Sequence, residues 1–151
     1  MLGKCILIAF CCTLYTPFGN TESIVEAGIG TEYGGLGSQI YFPIKSNNFD
    51  FYIAGGLFSY STETGGELGA GAGTNYYLDQ HSSIGIYGGV LAIDKITNHE
   101  TLDYSTDTKF GGSINYRYRF LGKGNGGFVL GVSYNVHSED HYPFVSLGYR
   151  F

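Results

Sequence analysis

YPFVSLGYRF, residues 142–151, closes the sequence and sets how the rest of it is read. In steps of two, Val145, Leu147, Tyr149 and Phe151 fall on one side, and Ser146, Gly148 and Arg150 on the other. A period of two is the period of a β-strand, whose successive side chains point to opposite faces. One face of this strand is apolar and the other is not.

Working back from that strand, Glu139–His141 is a short loop. The segment before it sets Phe128, Leu130, Val132, Tyr134 and Val136 against Gly131, Ser133, Asn135 and His137. Gly122–Gly127 is a turn. Before it, Phe110, Ile114, Tyr116, Tyr118 and Phe120 oppose Lys109, Ser113, Asn115, Arg117 and Arg119. Ile96–Thr108 reads as the longest polar loop. A segment over Ser83–Lys95 has apolar residues in both phases, so its faces stay open. After the turn at Asp79–Ser82 comes a cleaner segment, with Leu68, Ala70, Ala72, Thr74, Tyr76 and Leu78 against Glu67, Gly69, Gly71, Gly73, Asn75 and Tyr77. Thr62–Gly66 is a polar loop. Phe49–Ser61 is again ambiguous, and Gly55-Gly56 suggests a bulge there. Lys45–Asn48 is a turn. The first two segments, Ile24 to about Tyr33 and Leu36 to Ile44, flank Gly34-Gly35, a two-residue hairpin signal that predicts Tyr33 and Leu36 as a facing pair. Eight strands result.

Composition agrees. Twenty-five Gly, fourteen Tyr and eleven Phe, with three Pro and no Trp, disfavour long helices and favour strands and turns. The length of 151 residues allows one domain. Charged residues are 14% and the net charge is −5, which excludes nucleic acid as a partner because phosphate binding needs a basic stripe.

The three cysteines, Cys5, Cys11 and Cys12, all lie in the apolar run Cys5–Leu14 that follows Lys4. At roughly ten residues this run is too short to span a bilayer as a helix and suits the core of a signal peptide. Residues 1–23 are therefore read as a leader cut after Ser23, with Gly19 as an alternative site, and 24–151 as the mature domain. Cleavage removes one base, Lys4, and one acid, Glu22, so the net charge is unchanged. It also leaves a thiol-free chain, suited to an oxidising compartment.

Alternation also occurs in soluble barrels and sandwiches, so the choice of environment rests on which face is enclosed. An eight-stranded barrel has an interior just wide enough for side chains. The face bearing glycines together with Glu26, Glu67, Arg117, Arg119 and Arg150 suits that interior, where buried charges must pair. The aromatic, uncharged face suits hydrocarbon. A closed barrel is required there, since an open edge in lipid would leave backbone groups unpaired.

Eight alternating strands, a leader and a closing Gly148-Tyr149-Arg150-Phe151 resemble the small outer-membrane β-barrels of the OmpA/OmpX type. The resemblance implies an all-β, up-and-down transmembrane barrel in the bacterial outer membrane, with lipid and lipopolysaccharide around it. It implies that Val145, Leu147, Tyr149 and Phe151 form the signal read by the barrel insertion machinery. It further implies periplasmic termini, external loops near Gly34, Glu63, Glu100 and Asp140, and a monomer.

Three stretches invite chemistry. Gly122, Gly124 and Gly127 match the spacing of a dinucleotide-binding GxGxxG, but they link two strands and open no helix, so a turn is expected. His99, Glu100, Asp103 and Asp107, with Glu139, Asp140 and His141, offer oxygen ligands without fixed spacing, which reads as a hydrated acidic loop rather than a cation site. His137-Ser138-Glu139 suggests a hydrolase, because some outer-membrane barrels are lipid A deacylases with Ser, His and Glu. In those the His and Ser lie two apart on one strand, whereas here they are adjacent and a regular strand parts them. The expectation is a non-enzymatic barrel without cofactor or metal, acting through its loops on an external ligand no motif names. A lipid A-modifying enzyme and a narrow pore are the alternatives.

Overall fold

A computed structural model describes residues 24–43, 48–61, 65–98 and 103–151. The expected leader over residues 1–23, Ile44, residues 45–47 of the expected turn, Glu63, His99 and Glu100 lie outside them. Eight strands follow in order: β1 Ile24–Gly30, β2 Gly35–Pro43, β3 Phe49–Ser61, β4 Gly65–Tyr77, β5 Ser82–Asn98, β6 Asp103–Arg119, β7 Gly127–His137 and β8 His141–Arg150. Each pairs antiparallel with the next, and β8 returns to β1 through Glu26↔Arg150 and Ile29↔Leu147, closing the barrel.

Alternation sets the radial position of each side chain. Along β7 buried and exposed residues alternate without a break from Gly127 to Val136. Phe110 and Ile114 on β6 are 69% and 68% exposed, while Arg117 between Tyr116 and Tyr118 is 0% exposed. Through the barrel wall the Phe and most of the aliphatic side chains point outward, while Glu26, Arg117, Arg119 and Arg150 point inward among tyrosines such as Tyr41 and Tyr52.

The two ambiguous strands each carry a register shift. The β3–β4 ladder slips between Leu57 and Ser59, and the β5–β6 ladder between Val90 and Ala92. An extra residue reverses the facing beyond it, so Phe49, Phe51 and Ile53 point out before the first slip, and Val90 and Leu91 are both buried at the second.

Two expectations need correction. Tyr33 does not share a face with Leu36: pairing ends at Gly30↔Gly35, and Thr31–Tyr33 form a 3-10 turn folded into the barrel, all three buried, while Leu36 is 60% exposed. The turn closes on Gly34, whose φ of 73° is left-handed and whose N–H donates to Thr31 O at 3.0 Å. Nor is Ile96–Thr108 one loop, because β5 and β6 stay paired from Ala92↔Lys109 out to Asn98↔Asp103. The sequence there is polar in both phases and leaves no hydrophobic period to read, yet the ladder continues through residues such as Thr106 and Thr108. Gly122–Gly127 joins β6 to β7 as a turn, with positive φ at Gly122 and Gly124.

Candidate functional site

The densest chemistry lies inside the barrel. Among the described residues, three arginines and three carboxylates are buried: Arg117, Arg119, Arg150, Glu26, Glu32 and Asp50. Their positions follow from phase and register. Glu26 on β1 stands opposite Arg150 on β8, and Arg117 and Arg119 on β6 take the inward phase between Tyr116, Tyr118 and Phe120.

Glu26 is the hub. Its Oε1 accepts from Arg117 Nη2 at 2.5 Å and from the Tyr33 hydroxyl, and its Oε2 accepts from Arg150 Nε at 3.2 Å. Arg117 Nη1 donates to Gln39 Oε1 at 2.8 Å and to the Tyr41 hydroxyl, and its Nη2 donates to Tyr33 Oη at 2.7 Å. Aromatic rings line the cations. The Arg117 guanidinium lies 5.3 Å from the Tyr33 ring centre, Arg150 lies 4.7 Å from Tyr41, and Arg119 lies 4.8 Å from Tyr77. Such contacts strengthen when desolvated. Arg119 also donates to Ser83 Oγ at 2.8 Å, and the Tyr77 hydroxyl donates to Asp50.

The inward turn ties this network to the other end of the barrel. Ser146 Oγ donates to Glu32 Oε1 at 2.5 Å, Gln39 Nε2 donates to the Glu32 carbonyl at 2.7 Å, and Thr31 Oγ1 donates to Asn135 Oδ1 at 3.1 Å. These contacts hold Glu26 and the guanidiniums in one geometry, and Arg119 Nε and Nη2 and Arg150 Nη1 and Nη2 are buried without a hydrogen-bond partner among the described residues.

Of the five interior charges expected from sequence, Glu26, Arg117 and Arg150 come together, and Arg119 lies among Ser83 and Tyr77. Glu67 does not join the buried set. It is half-buried near the loop end of β4, level with Ser59, and accepts from Thr106 Oγ1 at 3.1 Å. In the closing strand, Val145, Leu147, Tyr149 and Phe151 all point outward, between 42% and 73% exposed. Phe151 sits against Tyr149, 5.2 Å between ring centres, and Tyr149 against Phe128 at 5.3 Å.

Sequence reasoning did not single out Gln39, Tyr41, Asp50 and Tyr52, which fill the same lumen. The signal was present for the first two, because Ile40 and Phe42 on the outer phase place Gln39 and Tyr41 on the inner one.

At the end of β7, Glu139 is ion-paired with Lys109, and His137 Nδ1 accepts the Glu139 N–H at 3.4 Å. The Glu139 carboxylate is thus engaged by an ammonium. Asp107 is ion-paired with the same Lys109 at 2.7 Å, and no group of three or more metal-ligating side chains forms among the described residues.

No protein-family model, curated protein or solved structure matches this chain.

Proposed function

We propose that this chain is an integral β-barrel of the bacterial outer membrane whose filled interior serves as a rigid support. Its role is structural or one of surface interaction through the loop end, without catalysis. Outer-membrane lipid and lipopolysaccharide surround it, and the barrel insertion machinery places it. The observation that carries this reading is the inverted distribution of polarity: Leu68, Phe110, Ile114 and Val145 are each more than 60% exposed, while Glu26 and Arg117 are fully enclosed. In water such an outer surface would be a large unpartnered apolar area. In hydrocarbon it is the favourable arrangement.

Dimensions support the same reading. The ten residues of β8 extend ~33 Å at ~3.3 Å each and, tilted by ~40°, cover ~25 Å along the barrel axis, the height of a lipid-facing band. Aromatic pairs such as Phe49–Tyr76 and Tyr118–Phe120, near the end that holds Ile24 and Phe151, fit an interfacial girdle. A pore is disfavoured, since ion pairs and tyrosines occupy the lumen of a barrel with no spare width.

The test is fractionation of cells followed by surface proteolysis. The chain is expected with the outer membrane, cut from outside at the exposed Ser138–Asp140 turn and spared at Asp79–His81. Recovery as a folded protein without detergent in the soluble fraction would overturn the reading. Cleavage at Asp79–His81 alone would reverse its orientation.

A further inference from the structure

The loop end of the barrel has an uneven rim. β1 and β2 stop pairing at Gly30↔Gly35, whereas β5 and β6 remain paired to Asn98↔Asp103. An open groove of about 790 Å³ lies against the low part of this rim, within the range of small-molecule sites. Part of its lining is outer wall: Ile29 and Leu36, 56% and 60% exposed, with Leu57, which pairs with Leu36; Phe58, at the register slip, stands on the inner side of the rim beside the buried Gly69. Another part is acidic: Asp94, Glu139 and Asp140, all exposed.

Two carboxylates stand opposite each other beside the acidic part. Asp94 pairs directly across from Asp107 in the β5–β6 ladder, and like charges facing each other across strands repel. A single ammonium, Lys109, serves both Asp107 and Glu139. Tyr142, whose hydroxyl donates to the Leu91 carbonyl at 2.5 Å, adds a fixed aromatic ring to the same lining, a surface to which cations are attracted. An anion would be repelled here, and a small hydrophilic cation would leave the apolar wall uncovered.

We propose that this groove takes an amphiphile with one apolar tail and a cationic amine head group, entering sideways from the bilayer over the β1–β2 rim. The tail lies along Leu36, Leu57 and Phe58, and the head reaches Asp94 and Asp140. The inference rests on the membrane reading above and names a ligand class for the loop end.

The test uses the full mature barrel in phosphatidylcholine nanodiscs and two probes: dodecylamine with a photoactivatable diazirine in its tail, and dodecyl sulfate with the same diazirine. The amine probe is expected to label Leu57 and Phe58 saturably, as located by peptide mass spectrometry. In Asp94→Asn/Asp140→Asn that labelling should fall at least about fivefold, a loss of ~1 kcal/mol, while labelling of the outer belt stays constant. Phe58→Ala should lower it with the charges intact. Both aspartates are exposed, and heat-modifiable gel migration checks that each variant is folded. Equal labelling of Leu57 and Phe58 by the two probes, or labelling insensitive to the double substitution, overturns the site and leaves the membrane reading standing. A chain that stays folded in buffer and does not enter nanodiscs overturns both.

Discussion

Two guanidiniums and a tyrosine hydroxyl converge on the one carboxylate of Glu26. A buried ion pair adds little net stability over an apolar equivalent, but removing one partner strands the other in a low-dielectric interior. Glu26→Gln should therefore cost ~3–5 kcal/mol in unfolding measured in detergent, and Arg117→Leu should likewise lower resistance to heat. The double variant should cost less than the two added together, with a coupling of ~1–3 kcal/mol; strict additivity, or unchanged heat-modifiable migration of Arg117→Leu, would show that the pair is not what holds the lumen. Asp79 illustrates the same physics at the surface. Its Oδ1 accepts from the His81 N–H at 2.6 Å and the Ser82 N–H at 2.8 Å, and these donors, His81 first, hold its carboxyl below the usual 3.8. The folded chain then takes up this proton less readily than the unfolded one, so the turn's contribution is complete above pH 3.8 and is lost as pH falls through the lowered value. An amide-shift titration of His81 by NMR should give a midpoint below 3.8, absent in Asp79→Asn; a midpoint at or above 3.8 would refute the cap.

Between elements, the seam from β8 to β1 is built around one intruding ring. A Cβ on Gly28 or on Gly148 would each lie 2.8 Å from Tyr33 Cζ, so both glycines leave room for the ring of the inward turn. Gly148→Val is expected to cost ~1–3 kcal/mol by overpacking, and Tyr33→Ala in the same chain should recover part of that loss; a silent Gly148→Val, or no recovery, would mean the ring has another place to go. This turn marks where the sequence stopped being legible. Strand number and the facing of β4, β6, β7 and β8 follow from a strict period of two, which each of those strands keeps through the barrel wall. Tyr33 was misplaced because Gly34-Gly35 is a strong local turn signal, whereas the true connection is fixed by partners on β2, β6 and β8 that no local pattern reveals. Phe49–Ser61 and Ser83–Lys95 resisted for a different reason, since the register slips past Leu57 and Val90 merge two phases into one apolar run. Of the expected interior charges, Glu67 takes the glycine-bearing face but lies half-buried opposite Ser59, away from the buried ions. Alternation gives the face of a residue, and only the ladder register gives its depth.

For the whole molecule, the filled lumen and the apolar exterior make separable predictions. Because Arg117, Arg150, Tyr33, Tyr41 and Tyr52 are buried within the barrel, planar bilayers containing it should carry no steady single-channel current; stable unitary steps would mean the interior opens. The exterior leads to the closing aromatic. Phe151 is 73% exposed, and beyond its ring contact with Tyr149 its N–H donates to Val25 O at 3.0 Å on the first strand. Removing so exposed a side chain forfeits little burial, so Phe151→Ala should change stability in detergent by less than ~1 kcal/mol. If the outward row Val145, Leu147, Tyr149 and Phe151 is what the insertion machinery recognises, the same substitution should sharply reduce the amount of folded barrel in the outer membrane of cells. The two measurements separate a recognition role from a packing role: intact refolding with poor cellular assembly supports recognition. Normal assembly of Phe151→Ala would remove it, and a parallel loss of refolding would assign the residue to the β1–β8 closure instead.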